Sequence, residues 1–530
     1  MHPPLSETPD LSLELAKIRD SYNKDPYQSF PFYHSNPAHL KTIGKLFGLE
    51  AAPLATARIL ELGCASGGNI IPFACQYPEA RIVGVDLSEV QIEAGKTFIS
   101  QLGLQNIELK TYAISDIDES FGQFDYIIAH GIFSWVPDFV REEILRICRD
   151  RMVSTGIAYI SYNTLPGWHT RRIVRDMALY HSENFDNTKE KINQTKQLLQ
   201  FVGDALNDSD DSYSKLIMES VNLLKDKPDY YIAHDFLEIN NKPFYFSEFV
   251  NMIEGYGLKY MAEASVSTMF LGNYPEAIRT SLGKIKNIIR TEQYLDFIIN
   301  RHFRSTLICH QTATVDRNLP ATILHSFYIK MKVRVIQNPK LQPEFEFNGD
   351  PNSLLSTESP ILQSLFLVAS EHYNIYLSFD DWANLIVARM KNVSKEEVVS
   401  DMNLNLLSLF LSGKIKISAD DIKVQNKETE YPKVWKYVAV QCKYLNISYV
   451  TNLYHEPVAI SVFERFMIPY LDGTRNKEEI LQRLLTHVQN KELDVNLEGK
   501  KVHTEDRLMN ILSLAYIDAM ECFVDNALLV

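Results

Sequence analysis

The sequence predicts an α/β fold: a mostly parallel sheet covered by helices on both faces, with a helical insertion and mainly helical α+β modules behind it. Three observations predict this. Near-continuous apolar strands recur at short intervals between Arg58 and Asn163, with helical patterns between them. A glycine-rich turn, ELGCASGGN from Glu61 to Asn69, leaves the first strand, and an acid, Asp86, closes the second. Beyond Gly167 the pattern changes to long polar helices before strands resume.

In chain order, Asn36 caps a helix with Pro37 in its first turn; Leu40, Ile43 and Phe47 mark one face, and Gly48 stops it. Strand one is RILEL, 58–62, followed by a helix from Gly68 to Gln76. Strand two is ARIVGVD, 80–86. Ser88 and Gln91 suit a capping box for the next helix, which ends at Gly103. Strand three covers 106–112, strand four 124–130, a helix 138–151 and strand five 156–163. Residues 168–240 exceed any normal connection and read as a helical insertion beside the active-site end of the sheet. The α/β pattern resumes with the helix FSEFVNMIEGYG and strands at 258–264 and 303–310. A polar stretch, 412–433, reads as a boundary, and Thr474 as the cap of a helix beyond it. The expected organisation is an N-terminal helical cap segment (1–52), the sheet domain (53–312), a middle helical/α+β module (313–420) and a mainly helical C-terminal module (421–530).

Composition narrows the function classes. A chain of 530 residues is too long for one core. Its formal charge of −14 disfavours general nucleic-acid binding. No apolar window reaches a membrane span of about 18 residues, so stable membrane insertion is not expected. The polar start MHPPLSETPD shows no secretory signal, and the six cysteines form no CxxC pair. A cytoplasmic, reducing location follows as an expectation, with no metal site.

The turn after strand one sits where open α/β sheets bind ligands, beyond the strands' carboxyl ends. Glu61, Gly63, Gly67 and Gly68 arrive there, and Asp86 follows by roughly 20 residues, the place of a ribose-binding carboxylate. A dinucleotide wants G-x-G-x-x-G; Gly63 and Gly68 fit, but Ala65 takes the middle place. Glu61 is awkward beside a phosphate and useful opposite an amino group. S-adenosylmethionine offers an amine and a sulfonium with no phosphate.

ELGCASGG resembles the first motif of class I methyltransferases, E-x-G-x-G-x-G, with Ala65 departing from the usual glycine. The resemblance implies a Rossmann-like sheet and S-adenosylmethionine as cofactor. Glu61, Gly63, Cys64, Ala65 and Gly67 would form its cradle, Glu61 organising the methionine end and Asp86 holding the ribose. Asp116 would reach the adenine amino group, with Ile117 and Leu87 against the ring; a surface turn is the other reading of Asp116. His130, Phe133 and Trp135, after strand four, would lie near the methyl donor, or would simply be packed in place.

Longer strings, among them FDYIIAHGIFSWVPDFVREEILRICRDRM, SYNTLPGWH and FRSTLICH, resemble bacterial methyltransferases with a regulatory-type domain, and within them the rickettsial protein-lysine methyltransferases of outer-membrane proteins. This resemblance implies a lysine-rich protein acceptor, an outer-membrane surface protein. Tyr162, Asn163 and His130 are the candidates for orienting the amine. Trp135, Trp168 and Tyr27 could wall the lysine stem or cap the cofactor. The string SYNT departs from the N-P-P-Y loop of many amide and adenine methyltransferases. A small-molecule methyltransferase and a methyltransferase-like binding protein stay open, as does a homodimer.

Overall fold

The computed structural model describes residues 11–530 except 25, 28, 239, 337–342, 446–447, 495, 498–499 and 502–504. The polar start MHPPLSETPD therefore lies outside the described residues. Seven strands form the central sheet: β1 (Arg58–Leu62), β2 (Arg81–Asp86), β3 (Ile107–Thr111), β4 (Phe124–Ala129), β5 (Met152–Asn163), β6 (Leu258–Glu263) and β7 (Phe303–His310). Their order is β3-β2-β1-β4-β5-β7-β6, with β1 to β5 parallel and β7 antiparallel to both of its neighbours. Every residue of β4 is buried, so its sequence does not alternate, and its one acid, Asp125, is paired with Arg58 at 2.8 Å.

Local chemistry explains where the elements depart from expectation. The helix expected from Gly68 begins at Ile71, because Gly67 has φ +79° and the Gly68 amide is drawn to the Ser29 hydroxyl at 2.8 Å. Only half of the Ser88 capping box forms. The Ser88 hydroxyl accepts from the Gln91 amide, while the Ser88 amide donates to Asp86 instead of to the Gln91 side chain. Thr474 is not the cap of its helix. It donates to Asp472, and Asn476 with Glu479 makes a reciprocal box at the start of Lys477–Gln489.

Between β5 and β6 three helices, Gly167–Ser182, Thr188–Leu206 and Ser212–Lys225, close around a small core of their own that includes Val174, Leu199, Ile217 and Phe236. The chain returns to the sheet through a π-helical turn, Ile232–Phe236. Between β6 and β7 lie the helices Glu276–Leu282 and Ile288–Ile299. Arg304 of β7 ties this unit together, bonding Glu263, Glu292 and Asp296, all fully buried or nearly so.

The remaining chain packs onto the sheet. The strand Ile415–Ser418, inside the polar stretch expected as a boundary, pairs with Tyr328–Met331, which also pairs with Tyr376–Ser378. Helix Pro37–Leu46 links the two bodies: Lys41 pairs with Asp420 at 2.6 Å, and the Thr42 hydroxyl accepts from the Ala419 amide. One apolar core runs from Leu40 and Ile59 through Trp382 to Phe523. No described helix is long and apolar enough to cross a membrane.

Candidate active site

A cavity of about 410 Å³ opens at the carboxyl ends of β1, β2, β4 and β5. It is roofed by the N-terminal segment, through Tyr22, Tyr27 and Phe32, and by the insertion, through Tyr231, His234 and Asp235. Its size suits a ligand of cofactor dimensions.

Glu61 lies at one end, at the close of β1, and is only 3% exposed. Its Oε1 accepts from Asn69 Nδ2 at 2.6 Å, and its Oε2 has no partner. Burial pushes the carboxyl up to about 8, the Asn69 hydrogen bond pulling the other way and Asp86 adding to the rise. An unpaired carboxylate oxygen in a low-dielectric pocket calls for a cation. At the other end Asp86 is aimed by its own backbone neighbours, accepting from the Ala65 amide at 2.8 Å and the Ser88 amide at 2.9 Å. One lone pair on each of its oxygens stays open for a diol.

The loop's amides decide between the two cofactor readings. Gly63 and Cys64 both donate to the Val85 carbonyl, Ala65 to Asp86, Gly67 to the Cys64 carbonyl and Gly68 to Ser29. These five donors are spent within the protein and Ser66 does not line the cavity, so successive loop amides do not form a nest for a pyrophosphate. Gly63, at φ +70°, lines the cavity, and a Cβ there would meet Ile132 at 2.5 Å. A buried carboxyl that an ammonium would ionise, an oriented ribose acceptor and a loop with most of its amides committed fit S-adenosylmethionine better than a dinucleotide.

The other expected residues divide. Cys64, Ala65, Leu87, Tyr27, His130, Trp135 and Asn163 all line the cavity. Asp116 and Ile117 do not. The 3-10 turn Ile114–Asp116 presents Ile114 and Ser115, leaving Asp116 exposed and Ile117 in the core. Gly67 serves packing, since a Cβ there would press on Ile71 and Leu109. Tyr162 faces away. Its ring stacks on Phe249 at 4.1 Å and its hydroxyl meets Thr306 at 3.2 Å. Phe133 is likewise core, against Phe244 and Phe249.

The hydroxyl that supports the site from behind is Tyr159, at 2.9 Å from His130 Nδ1 and donating to Ser305. With that proton committed, His130 Nδ1–H donates to Tyr159 and Nε2 carries the free lone pair. Burial, then His34, pushes the His130 imidazole down to about 4. Trp135 and Trp168 meet edge to face at 5.9 Å, and the buried Trp168 indole N–H has no protein acceptor. Asn163 Nδ2 donates to Asn241 at 3.1 Å, leaving its carbonyl oxygen as acceptor. Asn69, Gln91, Tyr159 and Asp235 were not foreseen as site residues. Asn69 ends the motif itself, and Tyr159 shares a strand face with Asn163; those two signals were available in the sequence.

Fold and site together define a class I S-adenosylmethionine-dependent methyltransferase. Three family profiles match: a methyltransferase domain over residues 59–156, a "Predicted methyltransferase regulatory domain" over 228–310 and a "PKMT, C-terminal winged helix domain" over 430–528. An uncharacterized protein of Rickettsia prowazekii, RP789, is 41% identical, the alignment covering 96% of this chain and 93% of that relative. PKMT2 from Rickettsia typhi in complex with AdoHcy superposes with a TM-score of 0.89 at 32% identity, covering 95% of this chain and 100% of that one. The chain belongs to the family of rickettsial PKMT2, class I methyltransferases with a regulatory domain. The segment matched as regulatory contains β6 and β7, so it completes the catalytic sheet.

Proposed function

We propose that the protein transfers methyl groups from S-adenosylmethionine to lysine side chains of a protein acceptor, a bacterial outer-membrane surface protein. The observation that carries the donor half is the unpaired Glu61 Oε2 in a pocket where the Gly63, Cys64, Ala65, Gly67 and Gly68 amides are already bonded within the protein. The acceptor half is supported by likeness to PKMT2 along that protein's whole length.

When bound, S-adenosylmethionine supplies a methyl group activated by its sulfonium. Glu61 holds the ammonium of the amino-acid end, and Asp86 accepts from the ribose. Gln91, buried with an unpaired carbonyl oxygen, and Leu87 face the adenosine. A free lysine has a pKa of about 10.4, so the pocket must favour the neutral amine. The apolar walls of Trp135, Trp168 and Phe303 do so by desolvation. His130 Nε2 and the Asn163 carbonyl then accept the amine's hydrogens and aim its lone pair. His130 is too weakly basic to store a lysine proton, so its part is orientation. Asp235, whose carboxyl burial pushes up to about 6 against Tyr231 and Arg171, also lines the cavity. It can attract the incoming ammonium.

The described cysteines are all unpaired, which suits a cytoplasmic enzyme meeting its acceptor before export. Peptide mass spectrometry after incubation with S-adenosylmethionine and outer-membrane protein fragments tests the reading. Lysines gaining one or more methyl masses are expected. Methylation confined to small molecules would overturn the acceptor assignment.

A further inference from the structure

Asn69 connects the donor site to the far end of the chain. Its Nδ2 donates to Glu61, while its Oδ1 accepts from the Phe32 amide at 3.0 Å and from His455 Nε2 at 3.0 Å; the Ser35 hydroxyl, 3.2 Å away, has the Phe32 carbonyl as its nearer acceptor at 3.0 Å. Two N–H donors converge on that oxygen, and the Phe32 amide, which can only donate, fixes which end of the Asn69 side chain faces them. Turning the amide over would set N–H against the Phe32 amide and the His455 N–H and withdraw the donor from Glu61. The orientation of Asn69 is therefore imposed from outside the sheet.

His455 supplies that constraint from the C-terminal module, where it is buried at the tip of the hairpin formed by Tyr449–Thr451 and Pro457–Ala459. The tip is itself held. The Asn452 side chain accepts from the Tyr454 and Glu456 amides, and the Asn452 carbonyl accepts from the His455 amide at 3.0 Å. His455 adopts φ +62°, a conformation that non-glycine residues take only when their surroundings impose it. Burial pushes its imidazole down to about 3, so the ring is neutral and carries one N–H. With Asn69 Oδ1 as partner, that hydrogen sits on Nε2. The same hairpin touches the loop a second way, because the Tyr449 hydroxyl donates to the Ser29 carbonyl and the Ser29 hydroxyl accepts from Gly68.

We propose that His455 is a positioning residue for the amino-acid end of the methyl donor: through Asn69 it holds the Glu61 carboxylate with Oε1 engaged and Oε2 turned to the cavity. The C-terminal module thereby completes the donor site. The inference rests on the methyl-donor reading of the cavity and is independent of the acceptor.

Calorimetry on the full chain with two ligands tests it. S-adenosylhomocysteine carries the amino-acid group; 5′-methylthioadenosine has the same nucleoside and sulfur without it. His455→Ala should weaken S-adenosylhomocysteine by roughly 10-fold, the worth of one hydrogen bond to a charged-site partner, and leave methylthioadenosine within about 2-fold. His455→Gln, which keeps a terminal N–H donor, should restore most of the loss. Asn69→Ala should show the same ligand selectivity, and adding His455→Ala to it should cost nothing further. Asp86→Ala should weaken both ligands alike. Equal losses of both ligands in His455→Ala, whether from misfolding or a general structural role, would overturn the proposal, as would unchanged S-adenosylhomocysteine affinity. A native protein that binds neither ligand would overturn the donor assignment together with it.

Discussion

Ala65 stands where the family motif has glycine, and its backbone shows why glycine is usual: φ is +50°. A side chain there costs about 1 kcal/mol, and the residue is kept in place by its amide's bond to Asp86. Ala65→Gly should retain cofactor affinity, because the bond comes from the backbone. It should raise stability by up to about 1 kcal/mol, less whatever entropy glycine adds to the unfolded chain; a lower melting temperature in calorimetric scans would contradict this. Glu61 carries a pH prediction. Its folded carboxyl, raised to about 8 by burial, favours the protonated form. Its contribution to stability is thus full below the ordinary value of 4.5 and is lost as pH rises through about 8. An ammonium ligand needs the ionised form, so donor binding at neutral pH should release a proton and tighten as pH rises toward 8. Calorimetry in buffers of different ionisation enthalpy should register that release in the native protein and not in Glu61→Gln. The motif made Glu61 and Asp86 legible in the sequence. Tyr162 and Asn163 could not both face the cavity, because neighbours on a strand point to opposite faces. Asp116 was placed by family likeness, and a single 3-10 turn moved it out.

At the scale of elements, strands were the most legible part. β1 and β7 begin and end where their apolar runs do, whereas β5 starts at Met152, since Val153, Ser154 and Thr155 extend it with no buried face to mark them. Caps were less legible because several polar residues compete within one turn: Asn476 displaced Thr474, and Asp86 took the amide that Gln91 would have used. The Arg304 cluster was invisible, since its members are spread from Glu263 to Arg304 and only folding brings them together. Arg304 bonds three carboxylates and lies 4.0 Å over the Phe246 ring, with Arg301 adding a second cation on Asp296. Removing one partner from such a group strands buried charge. Arg304→Met should lower stability by about 3–5 kcal/mol. Chemical denaturation would measure it, and a loss under about 1 kcal/mol would mean that the carboxylates neutralise by protonation instead.

At the scale of the molecule, the described C-terminal half is part of the working enzyme's architecture. One apolar core continues from the sheet into both modules, and polar links at Lys41–Asp420, Lys436–Leu102 and His455–Asn69 cross the same boundary. None of these long-range pairings has a sequence signature, which is why the modules read only as accessories. The C-terminal module braces the N-terminal segment that roofs the cavity, Tyr449 stacking on Phe30 at 4.9 Å and donating to the Ser29 carbonyl, while Phe303, His302 and Arg171 line the cavity for an acceptor chain. The most direct test is a crystal structure of the full chain with S-adenosylhomocysteine and a lysine peptide. The account predicts the ligand's amino group on Glu61 Oε2, its ribose on Asp86, and the lysine nitrogen between His130 and Asn163, within about 3.5 Å of the position a transferred methyl would occupy. A ligand bound the other way round, or a lysine that enters anywhere but this cavity, would contradict it.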